Sequence, residues 1–225
     1  MTTAREDILN KLRAATQQAP FADVPAHEVE PRQPVTKIEG DAGDGSTIAP
    51  LRARFISEVE RVRGVVHPAE DDVAAKQILI TLLQQKETKR VTMWDALPFA
   101  IADDIHALGI ERLRGQMREL AAADVGITGA ACAIAATGTL VLEMGEGRSR
   151  AASLLPPVHV ALVRANQLLP RLEDYIAQQR AKGLPAFSAG SNVVLLTGAS
   201  RTADIEMNVV YGVHGPLELH IILIG

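Results

Sequence analysis

A single cysteine, Cys132, occurs in the 225-residue chain, which excludes an internal disulfide and leaves too few thiolates for an iron–sulfur cluster held by this chain alone. Aromatic residues are almost as scarce, at 3%. The core must therefore be built from Ala, Val, Leu and Ile, and stacking platforms for nucleobases are nearly missing. No run of Lys and Arg is present and the net charge is −4, so neither a phosphate-backbone footprint nor a membrane-binding patch is visible. Nucleic acid and membrane are not expected partners. The N-terminal stretch carries Arg5, Glu6, Asp7, Lys11 and Arg13, which is not the pattern of a signal peptide or a spanning segment, and a reduced, cytoplasmic protein is expected. Also missing are the dinucleotide fingerprint G-x-G-x-x-G, the P-loop and any His or carboxylate spacing suited to a metal.

What is present is a hydrophobic fraction of 47%, enough at this length for one sizeable core. Residues 1–18 read as an N-terminal amphipathic helix with Ile8, Leu9 and Leu12 on one face. Residues 19–49 are rich in Pro and Gly without periodicity, as an exposed linker is, and residues 50–225 read as one α/β domain. In that domain LRARFISEVERVR and AEDDVAAKQILITLLQQKE have helical periodicity, the second with an apolar stripe at Val73, Ile78, Leu82 and Leu83. GVVH and RVTMW read as strands, FAIADDIHALGI as a helix, and Glu111-Arg112 as a short strand. Such alternation implies parallel pairing through crossover helices. Beyond Asp124, GTLVLEM, VHVALVR, NVVLLTG and LELHIILI read as strands separated mainly by turns. The helix NQLLPRLEDYIAQQRAKG interrupts them and is expected to begin at Pro170. The expected class is α/β, with a mixed, mainly parallel sheet and flanking helices.

Three glycine-bearing loops follow apolar runs: Thr128-Gly129-Ala130, Gly145-Glu146-Gly147-Arg148, and Thr197-Gly198-Ala199-Ser200-Arg201-Thr202. Each alone reads equally well as an ordinary turn. On parallel neighbours they converge at strand ends, where Arg148, Arg150 and Arg201 offer charged forks to a small carboxylate or phosphate. The third loop is expected to run into a short helix carrying Asp204 and Glu206 in its first turn. Glu143 and Glu146 flank the second loop, as surface acids or as a carboxylate nucleophile. His214, between Gly212 and Gly215-Pro216, is a polar contributor to a cleft, whereas His159 reads as a hydrogen-bonded histidine within a sheet. Cys132 sits in an apolar stretch and reads as packing.

GITGAACAIAATGTLVLEMGEGRSRAASLLPPVHVALV, AGSNVVLLTGASRTADIE and GVHGPLELHIILI, in that order, resemble the LUD domain family, most strongly from Asp124 to the end and less so from about Pro50 to Ala123. The resemblance implies the fold shared by ribose-5-phosphate isomerase, glucosamine-6-phosphate deaminase and the CoA transferases. It also implies a non-redox role in bacterial L-lactate oxidation to pyruvate beside iron–sulfur sister subunits, with no cofactor in this chain. The alternative within that fold is a free-standing isomerase-like or transferase-like enzyme, or a ligand-binding scaffold. The family's E-T-G signature stands here as Ala136-Thr137-Gly138, without its carboxylate. Motif positions carried over for ligand binding are Thr128, Gly129, Thr137, Gly138, Gly147, Arg148, Thr202, Asp204, Glu206 and His214, to which Ser200 and Arg201 add themselves from the third loop. No catalytic set is implied.

Overall fold

A computed structural model describes residues 4–17, 48–203 and 209–225. Helix α1 (Ala4–Gln17) belongs to one compact unit and residues 48–225 to another. The expected 19–49 linker falls outside the described residues, except Ile48 and Ala49, which open helix α2 (Ile48–Arg61).

After α2 come β1 (Val65–Ala69), α3 (Asp72–Gln85), β2 (Arg90–Met93), α4 (Ala102–Ala107), β3 (Glu111–Arg112), α5 (Met117–Leu120) and β4 (Val125–Gly129). The chain then forms β5 (Cys132–Ile134), β6 (Thr139–Met144), α6 (Ala151–Leu154) and β7 (Val158–Arg164). It continues through β8 (Leu168–Leu169), α7 (Leu172–Ala181), α8 (Pro185–Ser188), β9 (Asn192–Thr197), β10 (Arg201–Ala203), β11 (Val209–Tyr211) and β12 (Glu218–Ile224). Six strands make a sheet in the order β1-β12-β7-β4-β2-β3, and every pair in it is parallel. The α/β class with a mainly parallel sheet and flanking helices is therefore what the chain adopts. Antiparallel pairs lie outside that sheet: β5 with β6 and β6 with β9 in a second sheet of order β8-β5-β6-β9, and β10 with β11 in a two-stranded ribbon.

The central strands β7 and β12 are buried on both faces, which is why they read as mostly apolar runs, broken only by His159 and Arg164 in one and by Glu218 and His220 in the other. One face presents Val160, Leu162, Ile222 and Ile224 to Ala75, Leu79, Leu82 and Leu83 of α3 and Ile105 of α4. The opposite face presents Ala161, Val163, Leu219, Ile221 and Leu223 to Phe55 and Val59 of α2 and to Leu140, Leu142 and Met144 of β6. Alternation along β6 then turns Val141 outward, toward Tyr175 of α7. The layers run from α3 and α4, through the parallel sheet, to the second sheet with α2, and finally α7.

Three expectations are corrected. Val73 is 76% exposed, because the packed stripe of α3 runs through Ala75, Leu79 and Leu82, about 200° around the helix from Val73. Leu168 and Leu169 are a strand beside β5, so α7 starts only at Leu172, where the Asp174 carboxylate accepts from Arg171 N–H at 2.9 Å. Residues Arg201–Ala203 are a strand paired antiparallel with Val209–Tyr211, and no helix opens at Thr202. The β-branched Val209-Val210 supplies the ladder partner that the expectation of a helix carrying Asp204 and Glu206 passed over.

His159 on β7 is fully buried, as the sequence suggested, with Nε2 2.8 Å from Thr128 Oγ1. Loss of hydration pushes its pKa from 6.5 down to about 3. His67 is lowered in the same direction, by burial and then by His220, whose Nδ1 lies 3.0 Å from His67 Nε2. An unfolded chain binds the His159 proton near 6.5 and the folded chain only near 3. Stability from the neutral imidazole is therefore complete above that upper value and is lost as pH falls below it, by roughly 1.4 kcal/mol per pH unit. Urea denaturation at about pH 7.5 and about pH 5 is expected to show this loss, reduced in His159→Gln; an unchanged slope in the variant rejects the buried neutral ring.

Candidate functional site

The order of the parallel sheet decides where its loops part. From β2 the chain moves outward to β3, whereas from β4 it moves the other way to β7. The loops after β2 and β4 therefore diverge at the carboxyl ends, and in open α/β sheets a crevice opens at that point. A cleft of about 520 Å³ lies here, lined by Trp94 and Pro98 after β2, Gly129 to Cys132 after β4, and Arg164 and Gln167 after β7. Helix α7 closes it from the second sheet's side with Tyr175, Gln178, Gln179 and Lys182, while Glu143 of β6 and Arg148 complete the wall.

The loop carrying Arg148 is fastened to the end of β2. Asp95 N–H donates to Gly147 O at 2.9 Å, and Trp94 Nε1 donates to Ser149 O at 3.0 Å. Arg112 in turn holds the Asp95 carboxylate, Nη2 to Oδ1 at 2.6 Å. Gly147 has φ +68° and packs so closely on Asp95 that a Cβ would lie 2.9 Å from Oδ2, which explains a glycine there. Gly145 and Arg148 close the turn by exchanging backbone hydrogen bonds of 3.3 and 3.0 Å. The Arg148 guanidinium has no hydrogen-bond or ion-pair partner among the described residues, and neither does the Lys182 ammonium. Arg164 is different: its guanidinium engages Asp72 at 2.9 and 3.0 Å and donates to Pro98 O at 2.9 Å. Two cations in the cleft are thus available to an anionic ligand, and one is committed to holding walls together.

Glu143 is the carboxylate of the cleft. Its Oε1 accepts from Tyr175 Oη at 3.0 Å and from Gln179 Nε2 at 2.9 Å. Tyr175 and Gln179 are one turn apart on the buried face of α7, which puts both donors on one oxygen. Burial, followed by that hydrogen bond, raises the Tyr175 pKa well above its usual value, so the phenol remains a donor. Cys132 is buried nearby, and desolvation with the Glu143 charge pushes its pKa up to about 12. It is a thiol at neutral pH and not a nucleophile.

The sequence-predicted residues separate. Gly129 and Arg148 line this cleft. Thr128, immediately before it, is fully buried and committed to His159. Thr137 and Gly138 serve the β5–β6 turn: a Cβ on Gly138, at φ +64°, would lie 2.7 Å from Val59 N of α2, and Thr137 Oγ1 meets Thr139 Oγ1 at 2.7 Å. Ser200, Arg201 and His214 line a second cleft of about 410 Å³ together with Arg150 and Ser153. That second cleft lies toward the amino ends of the parallel strands, since Gly215-Pro216 leads into β12 and Leu217 N–H bonds to Pro157 O just before β7. The first two glycine loops meet at one edge of the sheet and the third stands at the other. Thr202 is in β10, and Asp204 and Glu206 lie outside the described residues. Among the described residues no group of three His, Cys, Asp or Glu side chains is placed to hold a metal, and no helix is long and apolar enough to cross a membrane.

Tyr175, Gln179, Lys182 and Trp94 did not stand out in the sequence. The available signal was Tyr175 and Gln179 at i, i+4 on a helix face that packs inward, where apolar residues are the norm.

Residues 52–224 match the family model of the LUD domain. A curated relative named lactate utilization protein C, from Halalkalibacterium halodurans, is 30% identical over 172 residues, covering 72% of this chain and 68% of its own length. Another of that name, from Exiguobacterium, is 40% identical over 108 residues, 48% of this chain and 47% of the relative, so the match spans about half of that protein. A crystal structure of a DUF162 family protein from Deinococcus radiodurans shares the fold, with a TM-score of 0.61 at 23% identity over 79% of this chain and 98% of that one.

Removing the Tyr175 hydroxyl takes one of two donors from a half-buried carboxylate. Tyr175→Phe is expected to lower unfolding free energy by about 2 kcal/mol in urea denaturation at neutral pH. A change below about 0.5 kcal/mol contradicts the Glu143 bridge.

Proposed function

Because the chain belongs to the LUD domain family, we propose that it is a non-redox component of a bacterial, cytoplasmic L-lactate oxidation system whose carboxyl-edge cleft binds a small carboxylate. Its match to relatives named for lactate utilization supports the metabolic role. The observation that carries the binding role is Arg148, a guanidinium without a partner among the described residues, held over the switch-point crevice by a loop stapled to β2. An Arg fork recognises a carboxylate in two parallel hydrogen bonds, and partial exclusion of water strengthens them. Lys182 adds a second positive charge on the α7 side.

Electron transfer is assigned to iron–sulfur partner subunits. The residues of this chain do not fit such a cluster, since its only cysteine is a buried thiol with a pKa of about 12. A second reading, a free-standing enzyme of the sugar-phosphate isomerase or CoA-transferase kind, draws on Glu143 as a carboxylate inside the cleft. Turnover of pentose phosphates or acyl-CoA by the isolated chain would favour it, and none is expected.

Calorimetric titration with L-lactate and with pyruvate tests the binding role. Arg148→Ala is expected to weaken the bound acid at least about tenfold with the melting temperature unchanged, and equal affinity rejects the assignment. Coexpression with neighbouring cysteine-rich proteins tests the assembly: stable copurification is expected, and its absence under anaerobic conditions counts against the partner reading.

A further inference from the structure

We propose that Glu143 makes the cleft selective for 2-hydroxy acids over the corresponding 2-oxo acids, an inference that rests on the carboxylate-binding reading of the cleft. Both protein donors converge on Oε1, Tyr175 Oη at 3.0 Å and Gln179 Nε2 at 2.9 Å. Oε2 has no hydrogen-bond partner among the described residues. Glu143 is therefore oriented by the protein through one oxygen and left with an unused acceptor on the other.

The donors are themselves held in place. Tyr175 and Gln179 are 3% and 6% exposed. The Gln179 amide is fixed in its flip, because its Oε1 accepts Ala186 N–H at 3.2 Å while its Nε2 serves Glu143. Neither side chain can turn to offer Glu143 something else without orphaning a buried group, which costs more than an ordinary hydrogen bond contributes. The free oxygen thus keeps its acceptor character.

A carboxylate accepts hydrogen bonds and cannot donate them. An α-hydroxyl donates to it, whereas an α-ketone presents its own lone pairs and is repelled. With the ligand's carboxylate drawn to Arg148 and Lys182, the substituent on the neighbouring carbon is read by Glu143. Sites built to satisfy one hydrogen-bonding group discriminate strongly against the analogue that lacks it, because a buried polar atom is then left unpaired. An acid as small as lactate fills only part of a cleft of about 520 Å³, so the selected class includes 2-hydroxy acids with larger substituents, accommodated along Trp94 and Pro98.

The test is calorimetric titration of the full-length wild-type chain and of Glu143→Gln with L-lactate and pyruvate at neutral pH. Wild type is expected to bind lactate at least about tenfold more tightly than pyruvate. An amide both donates and accepts, so the ratio is expected to fall to near one, or invert, in Glu143→Gln. Should that variant fail to fold, Glu143→Asp keeps the charge but withdraws it, and is expected to lower the lactate-to-pyruvate affinity ratio by weakening lactate and relieving the repulsion of pyruvate. Equal wild-type affinity for the two acids, or an unchanged ratio in the variant, overturns the Glu143 assignment. If both acids bind equally and lose affinity in Arg148→Ala, the carboxylate site stands without the selectivity. If neither acid binds wild type, both proposals fall.

Discussion

A parallel sheet buried on both faces needs an apolar layer on each side, and that requirement shapes the rest of this molecule. Crossover helices α3 and α4 cover one face of β7 and β12, with Leu79, Leu82 and Leu83 against Leu162 and Ile222. The other face is covered by α2 and by a second, largely antiparallel sheet, whose strands lie between β4 and β12 in the chain, that lays Leu140, Leu142 and Met144 on Ala161, Val163 and Ile221. The cleft exists because this second layer leaves from the end of β4 and its loop returns to the end of β2. A site between a sheet edge and its covering layer inherits two rigid walls, and its polar groups are set by packing before any ligand arrives.

Polar groups in and near the cleft divide by what holds them. Arg112, Arg164 and Gln167 are committed to fastening loops: Gln167, for example, donates to Ala130 O at 2.7 Å and accepts Arg164 N–H at 2.7 Å. Arg148 and Lys182 have no partner among the described residues. Glu143 belongs to both groups, anchored through one oxygen and open through the other. That asymmetry makes it a reader of ligand chemistry and not only a brace.

The second cleft uses the other set of glycine turns. Arg150, Arg201 and His214 gather there beside Leu154 and Leu195, with Ser200 Oγ accepting His214 N–H at 3.3 Å. The three glycine-bearing loops, alike in composition, therefore do not share one place. Each turn follows the strand that feeds it, and the loops after β4 and β9 line different clefts.

Composition and periodicity were enough to determine the α/β class, VHVALVR and LELHIILI as strands, the core without disulfides, and a hydrogen-bonded His159 within the sheet, because these depend on local pattern and on the cost of burying an unpaired polar group. The glycine of the second loop and the flanking Glu143 were legible too, as turn and acid. Which turns share an edge was decided only by the tertiary structure, since it follows from the order β1-β12-β7-β4-β2-β3 and no short-range rule encodes the long-range pairing of strands. The same holds for Glu143: its role depends on Tyr175 and Gln179, more than thirty positions away, and only packing of α7 on the outer face of β6 brings their donors to its carboxylate.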